Sequence, residues 1–217
     1  MELSSLSFSN NEWIPERYAF GKLDSQLHVA LADNFNPQFS WDDVPPGTQS
    51  FALICHDPDV PSRADLVNQE NQSVPASLPR VNFFHWVLVN LPADLREIEE
   101  GAFSNGITPR GKGGPLAPLG AKQGINEYTA WFAQDHDMSG DYFGYDGPCP
   151  PWNDELAHRY IFTLYALSIP EVDLHSPFDG QEALKAIENH ILAQASVVGM
   201  YTLNPRLTPK QIGALSA

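Results

Sequence analysis

FFHWVLVNL, at residues 83–91, is the strongest strand pattern in the first half of the chain. Its aromatic and β-branched side chains favour extended backbone. Apolar residues occupy positions on both faces of the strand, a pattern typical of strands that are covered on both sides. The run therefore predicts a central, buried strand, and it places one imidazole, that of His85, inside that strand.

Two further runs have the length and composition of strands from the same core. SFALICH, at residues 50–56, is short and apolar, and Asp57-Pro58 directly after it predicts that the strand ends there. HRYIFTLYAL, at residues 158–167, is also rich in strand-forming residues. Side chains alternate between the two faces of a strand, so His158 and Tyr160 are predicted to share one face.

The rest of the chain is predicted to hold one helix and much irregular structure. Apolar residues recur at helical spacing from about 179 to 195, and a final strand is predicted at 196–203. The first fifty residues read as extended segments broken by turns, and residues 101–157 are dense in glycine and proline. Many strands with one late helix favour a mainly β, α+β fold. No linker divides the chain, so one domain over 1–217 is predicted.

Composition excludes several classes of function. The 217 residues carry a formal net charge of −15, which repels nucleic-acid phosphates and anionic membranes, so no nucleic-acid partner is expected. No apolar run approaches the ~20 residues needed to cross a bilayer. The N-terminus lacks a basic segment followed by an apolar one, so no secretory signal is expected. Two cysteines, Cys55 and Cys149, predict free thiols and a cytoplasmic protein.

Three short segments concentrate polar groups that ordinary strands lack. They are CHDPDVPS at 55–62, the imidazole of His85, and GYDGPCPP at 144–151, which leads into HRY at 158–160. Each has an ordinary explanation. The first can be a turn whose aspartates accept backbone hydrogen bonds, the second a hydrogen-bonded core histidine, and the third a surface turn. Together they offer carboxylates, imidazoles, a tyrosine hydroxyl and a glycine loop.

That combination suits the binding of a small anion. A carboxylate beside an imidazole sets its tautomer and raises its pKa, which favours a charged, donating form. Two such histidines, a tyrosine hydroxyl and loop N–H groups can hold a phosphate through charge-assisted hydrogen bonds. The sequence therefore predicts a local donating pocket on an otherwise acidic protein.

At these segments the sequence resembles the phosphatidylethanolamine-binding proteins, also called Raf-kinase-inhibitor-like proteins, and most closely their bacterial and archaeal branch. The resemblance extends over roughly residues 28–203. Any single piece is weak, but all the pieces in this order and spacing are highly specific. The matching pieces are DPDVP at 57–61, HWVLVNLP at 85–92, GYDGPCPP at 144–151 and HRY at 158–160.

The resemblance implies a large antiparallel β-sheet packed on a smaller one, with peripheral helices that include one near the C-terminus. It also implies a pocket for phosphate-like or other small anions, including phospholipid head groups in some members. The implied ligand-binding residues are Asp57, His85, Gly147, Pro150, Pro151, His158 and Tyr160. Neither a metal nor a cofactor is implied.

Around that pocket the resemblance implies supporting roles for Asp59, Pro61 and Arg159, and a cis peptide bond between Val60 and Pro61. The chain departs from the family pattern in three regions. Residues 62–82, 129–143 and 152–157 are longer than usual, and all three have room to surround the mouth of the pocket. The identity of the ligand therefore stays open.

The sequence alone leaves three possible functions open. The first, and the favoured one, is a non-enzymatic protein that binds a small anion, with a regulatory or kinase-inhibitor-like role. The second is a hydrolase, either with Cys149 as nucleophile and His158 as base, or with a metal held by His56, Asp57, His85 and His158. The third is a scaffold with a vestigial pocket. A homodimer and a further protein partner are left open.

Overall fold

The computed structural model of the chain describes residues 1–208. Within that range the backbone is mainly β, with two α-helices, α1 (Tyr128–Trp131) and α2 (Gly180–Ile187), and three short 3-10 helices. The strands are β1 Glu2–Ser4, β2 Glu12–Trp13, β3 Gly21–Asp24, β4 His28–Leu31, β5 Phe39–Asp42, β6 Ser50–Pro61, β7 Arg80–Pro92, β8 Glu97–Ile98, β9 Lys122–Gln123, β10 His158–Leu167 and β11 Ile191–Tyr201.

These strands form a large sheet, a small sheet and a hairpin. The large sheet has six strands in the order β2-β11-β10-β6-β7-β9, the small sheet has the order β1-β5-β8, and β3 pairs with β4. All neighbours in the large sheet are antiparallel except β2 and β11, which are parallel. The predicted mainly β fold is confirmed, and the large sheet is mixed at one edge.

The central strands are buried on both faces because each face meets a separate apolar cluster. On β6, Leu53 and Cys55 face the cluster that includes Phe39 and Trp41 of the small sheet. Ile54 faces the other cluster, to which α2 contributes Ala183 and Ile187. Period-two alternation therefore divides one strand between two cores, as the apolar runs predict.

The first predicted strand continues beyond its expected end. Asp57-Pro58 does not stop β6, because Val60 and Pro61 pair with Val81 and Arg80 of β7. The pairing register shifts between Asp57 and Val60, and this irregularity accommodates Pro58, which has no N–H for the ladder. Long-range pairing with β7 outweighs the local turn signal.

The prediction of a cis peptide bond between Val60 and Pro61 is wrong. The cis bonds of the described chain are Gly114–Pro115 and Ser176–Pro177. Pro61 is the last residue of an extended strand, so the chain makes no tight turn at that point.

The predicted helix is present but shorter than its pattern indicates. Asp179 forms a capping box with Glu182 at its start, and α2 ends at Ile187. After one 3-10 turn, β11 begins at Ile191, which pairs with Leu167 of β10. The helical spacing of apolar residues up to 195 is therefore misleading, because sheet pairing determines the conformation there.

Removing a central aromatic ring tests this packing. Phe162 of β10 is fully buried, and it contacts Phe39 of the small sheet at a ring separation of 4.8 Å. We expect Phe162→Ala to lower the free energy of unfolding by about 3–5 kcal/mol, because the large cavity can collapse only in part. Urea denaturation measures this change. The exposed Leu6 is the control, and Leu6→Ala should shift stability by less than ~0.5 kcal/mol.

Candidate functional site

A cavity of about 240 Å³ lies at the end of the large sheet where β6, β7 and β10 meet the loops. Asp57 of β6 is paired with Phe83 of β7, two residues from His85. His56 is paired with Ile161 of β10, next to Tyr160. The antiparallel order β10-β6-β7 therefore brings the polar residues of three distant segments to one end of the sheet.

Most of the sequence-predicted residues line this one cavity. The lining includes Asp57, Pro61, His85, Pro150, Pro151, His158 and Tyr160. Gly147 is not part of the lining. Its N–H donates to Asn34 and its carbonyl accepts from Tyr128, so it shapes the loop behind the cavity.

His158 lies between two carboxylates. Its Nδ1 is 2.7 Å from Oδ2 of Asp57, and its Nε2 is 3.1 Å from Oδ2 of Asp154. All three side chains are almost completely buried, and Arg80 forms two hydrogen bonds with the outer carboxylate, that of Asp154. The side chains of Asp57, His158, Asp154 and Arg80 thus form one buried chain, here called the charge chain.

The charge chain keeps His158 protonated. Burial alone would lower the pKa of His158, but attraction to Asp57 and hydrogen bonds to Asp154 and Asp57 raise it to about 9. Burial acts to raise the pKa of Asp154, but hydrogen bonds from His158 and Arg80 lower it below its ordinary value. Both nitrogens of His158 are therefore committed to carboxylates. His158 orients Asp57 and has no N–H left to donate to a ligand.

Asp59 and Arg159 brace the same end of the sheet from outside. The guanidinium of Arg159 donates through Nε and Nη2 to the carboxylate of Asp59, at 2.8 and 2.7 Å. The backbone N–H of Asp59 donates to Oδ1 of Asp57 at 2.7 Å. Neither Asp59 nor Arg159 lines the cavity, and their contacts support the position of Asp57.

His85 has the opposite environment. Its Nδ1 is 2.8 Å from the backbone carbonyl of Asp146, which requires a proton on that nitrogen. Aromatic rings, among them those of Phe83, Tyr128 and Tyr160, surround the imidazole. Burial lowers the pKa of His85 to about 4, so the ring is neutral near pH 7. Its Nε2 has no hydrogen-bond partner among the described residues and is a free acceptor at the cavity.

The loop that positions His85 contains a second buried carboxylate. Asp146 accepts hydrogen bonds from Lys112 at 2.6 Å, Asn34 at 2.8 Å and Asn126 at 2.9 Å. Burial raises the pKa of Asp146, and Lys112 partly offsets this effect. These contacts hold the 144–147 segment against His85. Sequence reasoning assigned no role to Lys112, Asn34 or Asn126, which lie far apart along the chain.

The three regions that are longer than the family pattern contribute unequally to the lining of the cavity. Residues 62–82 supply Ala64, Val67 and Asn68 to the cavity lining, and residues 129–143 supply Trp131 and Phe132. Residues 152–157 do not reach the cavity. They instead provide Asp154, which binds His158 from behind. The expectation that all three surround the mouth therefore holds for two of them.

The arrangement does not favour the hydrolase alternatives. Burial raises the pKa of Cys149 to about 12, so its reactive thiolate is scarce near neutral pH. His158, its expected base, is already protonated. In the described part of the chain, no group of three or more histidine, cysteine, aspartate or glutamate residues is arranged to hold a metal ion.

Among residues 1–208, no helix has the length and hydropathy of a membrane span.

Comparison with known families and proteins gives consistent matches over most of the chain. The family model described as phosphatidylethanolamine-binding protein matches residues 4–202. The UPF0098 protein YbhB of Escherichia coli is 31% identical over 93% of this chain and 100% of its own length. A UPF0098 protein of Methanothermobacter thermautotrophicus is 32% identical over 93% of this chain and 98% of its own length.

Two crystal structures have a similar fold. A phosphatidylethanolamine-binding protein homolog from Chlamydia trachomatis has a TM-score of 0.60 and 27% identity, covering 92% of this chain and 95% of that one. YbcL of Escherichia coli has a TM-score of 0.65 and 24% identity, covering 93% of this chain and 97% of that one. The second match supports the fold alone.

The charge chain makes stability depend on pH. The pKa of His158 is about 9 in the folded state against an ordinary 6.5, so folding favours its protonated form. Its contribution is complete below pH 6.5 and is lost as pH rises through 9. We expect the free energy of unfolding, measured with urea, to decline between pH 7 and 9.5.

Two variants assign that decline to His158. His158→Gln should lower stability at pH 7 by about 3–5 kcal/mol, because it leaves buried carboxylates without their cation, and it should flatten the decline. His175→Gln, at an exposed histidine, should leave both unchanged. A His158→Gln protein with the same alkaline decline as the unaltered protein would show that other groups cause it.

Proposed function

The chain belongs to the phosphatidylethanolamine-binding protein family, and from this premise we propose that its cavity binds a small phosphate-like anion in a singly protonated form. The observation that carries the proposal is the free Nε2 of His85. This atom belongs to an imidazole that is only 3% exposed, and it lies at the cavity without a partner in the described chain. A hydrogen bond that a charged ligand makes to a protein group contributes about 1.5–3 kcal/mol, so a ligand O–H that donates to this atom gains affinity.

The protonation states of the cavity floor determine which ligand atoms fit. Neutral His85 offers an acceptor at Nε2, which suits an acidic O–H of the ligand. Burial keeps the pKa of Tyr160 well above 10, so its hydroxyl retains the proton and can donate to a second ligand oxygen. A singly protonated phosphate has both an O–H donor and acceptor oxygens. It therefore matches His85 and Tyr160 at the same time.

The charges around the floor favour a monoanion over a dianion. The carboxylates of Asp57 and Asp154 are balanced by His158 and Arg80 within the charge chain. No lysine or arginine is among the residues that line the cavity. The floor therefore has no surplus positive charge to compensate a second negative charge on the ligand. Binding depends on hydrogen bonds more than on net attraction.

The regulatory or kinase-inhibitor-like role implied by the family resemblance stays a prediction, because no described residue specifies a protein partner. Small-anion binding is the part of the function for which the cavity supplies specific groups. The scaffold alternative differs from it in requiring no affinity for phosphate compounds at all. Titration calorimetry with inorganic phosphate and methyl phosphate separates the two, since a scaffold gives no binding heat with either compound.

Binding should weaken as the solution becomes more alkaline. A phosphate monoester loses its second proton near pH 6, so the singly protonated form becomes scarce above that pH. We expect the affinity for methyl phosphate, measured by calorimetry, to fall roughly tenfold per pH unit between pH 6.5 and 8.5, with uptake of about one proton. An affinity that stays constant or increases over this range would mean that the dianion is the bound form.

Two substitutions separate the roles of the floor residues. His85→Leu removes the acceptor and should reduce the pH dependence, and at least about 90% of the affinity at pH 6.5 should be lost, since a lost hydrogen bond to a charged ligand is worth about 1.5–3 kcal/mol. Tyr160→Phe removes only the hydroxyl and should weaken binding equally at every pH. Their controls are His56→Leu and Tyr165→Phe, because neither residue lines the cavity. Equal losses in a variant and its control would contradict the assignment.

A further inference from the structure

Besides its polar floor, the cavity has a wall of aromatic rings for which the proposed function gives no role. The wall consists of Phe20, Phe83, Tyr128, Trp131 and Phe132, all of which line the cavity. We call this set the aromatic wall. Small-molecule sites combine mainly apolar walls with a few polar groups that orient the ligand, and the wall and floor divide these roles.

Apart from Trp131, the rings of the aromatic wall pack against one another before any ligand arrives. Phe20 and Tyr128 stack with their centroids 4.6 Å apart and their planes at 20°, and Tyr128 and Phe132 stack at 5.6 Å and 15°. The hydroxyl of Tyr128 donates to the carbonyl of Gly147 at 2.8 Å, which fixes the middle ring. Tyr142 packs behind Phe132 at 5.5 Å. A preorganised wall loses little entropy when it receives a ligand.

Part of the wall comes from a region where this chain departs from the family pattern. Trp131 and Phe132 belong to residues 129–143, the longer segment that follows the start of α1. Trp131 remains 48% exposed although it lines the cavity, and Leu31 at the mouth is 60% exposed. Exposed apolar groups that gather at a cavity are typical of a binding surface.

The size of the cavity limits what the wall can cover. Its volume of about 240 Å³ is below the ~300–1,000 Å³ of sites that enclose drug-sized molecules. There is space for one ring beside an acidic group. Rings packed at offset or edge-on angles against other rings gain more than their buried area alone provides, so a flat ring fits this wall better than a puckered one.

We infer that the preferred ligand is a small acid that carries one aromatic ring, with its acidic group on His85 and Tyr160 and its ring against the aromatic wall. This inference rests on the proposed function, because the acidic group needs the polar floor. The ring supplies affinity, and the floor supplies orientation and pH dependence.

Three phosphate monoesters that differ only in their organic group test the inference. Methyl, cyclohexyl and phenyl phosphate are titrated into the full-length protein at pH 6.5 by calorimetry. Phenyl phosphate should bind at least about tenfold more tightly than methyl phosphate, because it buries a ring. It should bind about three- to tenfold more tightly than cyclohexyl phosphate, because ring–ring contacts add to burial.

A substitution in the wall provides the second readout. Trp131→Ala should lower the affinity for phenyl phosphate about fivefold or more. The affinity for methyl phosphate should stay within about twofold of its value in the unaltered protein. Leu116→Ala, at a residue that is 80% exposed and outside the cavity lining, should change neither affinity. Because Trp131 is half exposed, its removal leaves the buried clusters intact, and urea denaturation checks this.

The possible results separate this inference from the function on which it rests. If methyl and phenyl phosphate bind equally well, or if Trp131→Ala weakens the binding of both to the same extent, the ligand is not selected for an aromatic ring. The proposed anion binding is then unaffected. If cyclohexyl phosphate equals phenyl phosphate, the wall selects apolar groups in general, and the inference also fails. If none of the three esters binds, the proposed function fails, and the inference fails with it.

Discussion

The cavity end of this protein depends on one buried imidazolium that two carboxylates hold between them. His158 starts β10, Asp57 lies on β6, and Asp154 belongs to the loop before β10, with Arg80 of β7 on its outer side. Three neighbouring strands are thereby joined at the edge of the cavity. Loss of one member would leave a buried charge without compensation, which typically costs 3–5 kcal/mol. The constraint explains why the strand ends stay together where the sheet gives way to loops.

The same constraint gives the two buried histidines of the cavity different roles. Both are buried, yet carboxylates raise the pKa of His158 to about 9 and burial among aromatic rings lowers that of His85 to about 4. Environments that push the pKa values of neighbouring groups apart usually mark distinct roles. His158 serves the architecture, and His85 is left with a free acceptor at the cavity. The pocket therefore differs from the doubly donating site that the sequence suggests.

The sequence predicts the central sheet better than its margins. The bounds of β10 agree with its apolar run at 158–167, and β7 extends the run at 83–91 by only a few residues. The motifs that resemble the family identify most of the cavity floor, although Asp57 and His158 are 101 positions apart. These elements are predictable because their local patterns agree with the pairing they adopt.

The errors arise where distant pairing overrides a local signal. β6 passes through Asp57-Pro58 because β7 offers it a partner, and the predicted helix yields to β11 at Ile191 because β10 does the same. The sequence places Asp154 only within a longer loop, since nothing in its neighbourhood indicates that it binds His158. Lys112 and Asn34 are recognisable only after the loops have folded onto Asp146.

The protonation states of the two histidines test the account most directly. Nitrogen-15 NMR of the imidazole side chains at pH 7 reports which ring nitrogens carry protons. The account predicts protons on both nitrogens of His158 and on Nδ1 alone of His85, with a bare Nε2 that shifts when methyl phosphate is added. A neutral His158, or a His85 that is doubly protonated in the free protein, would contradict it.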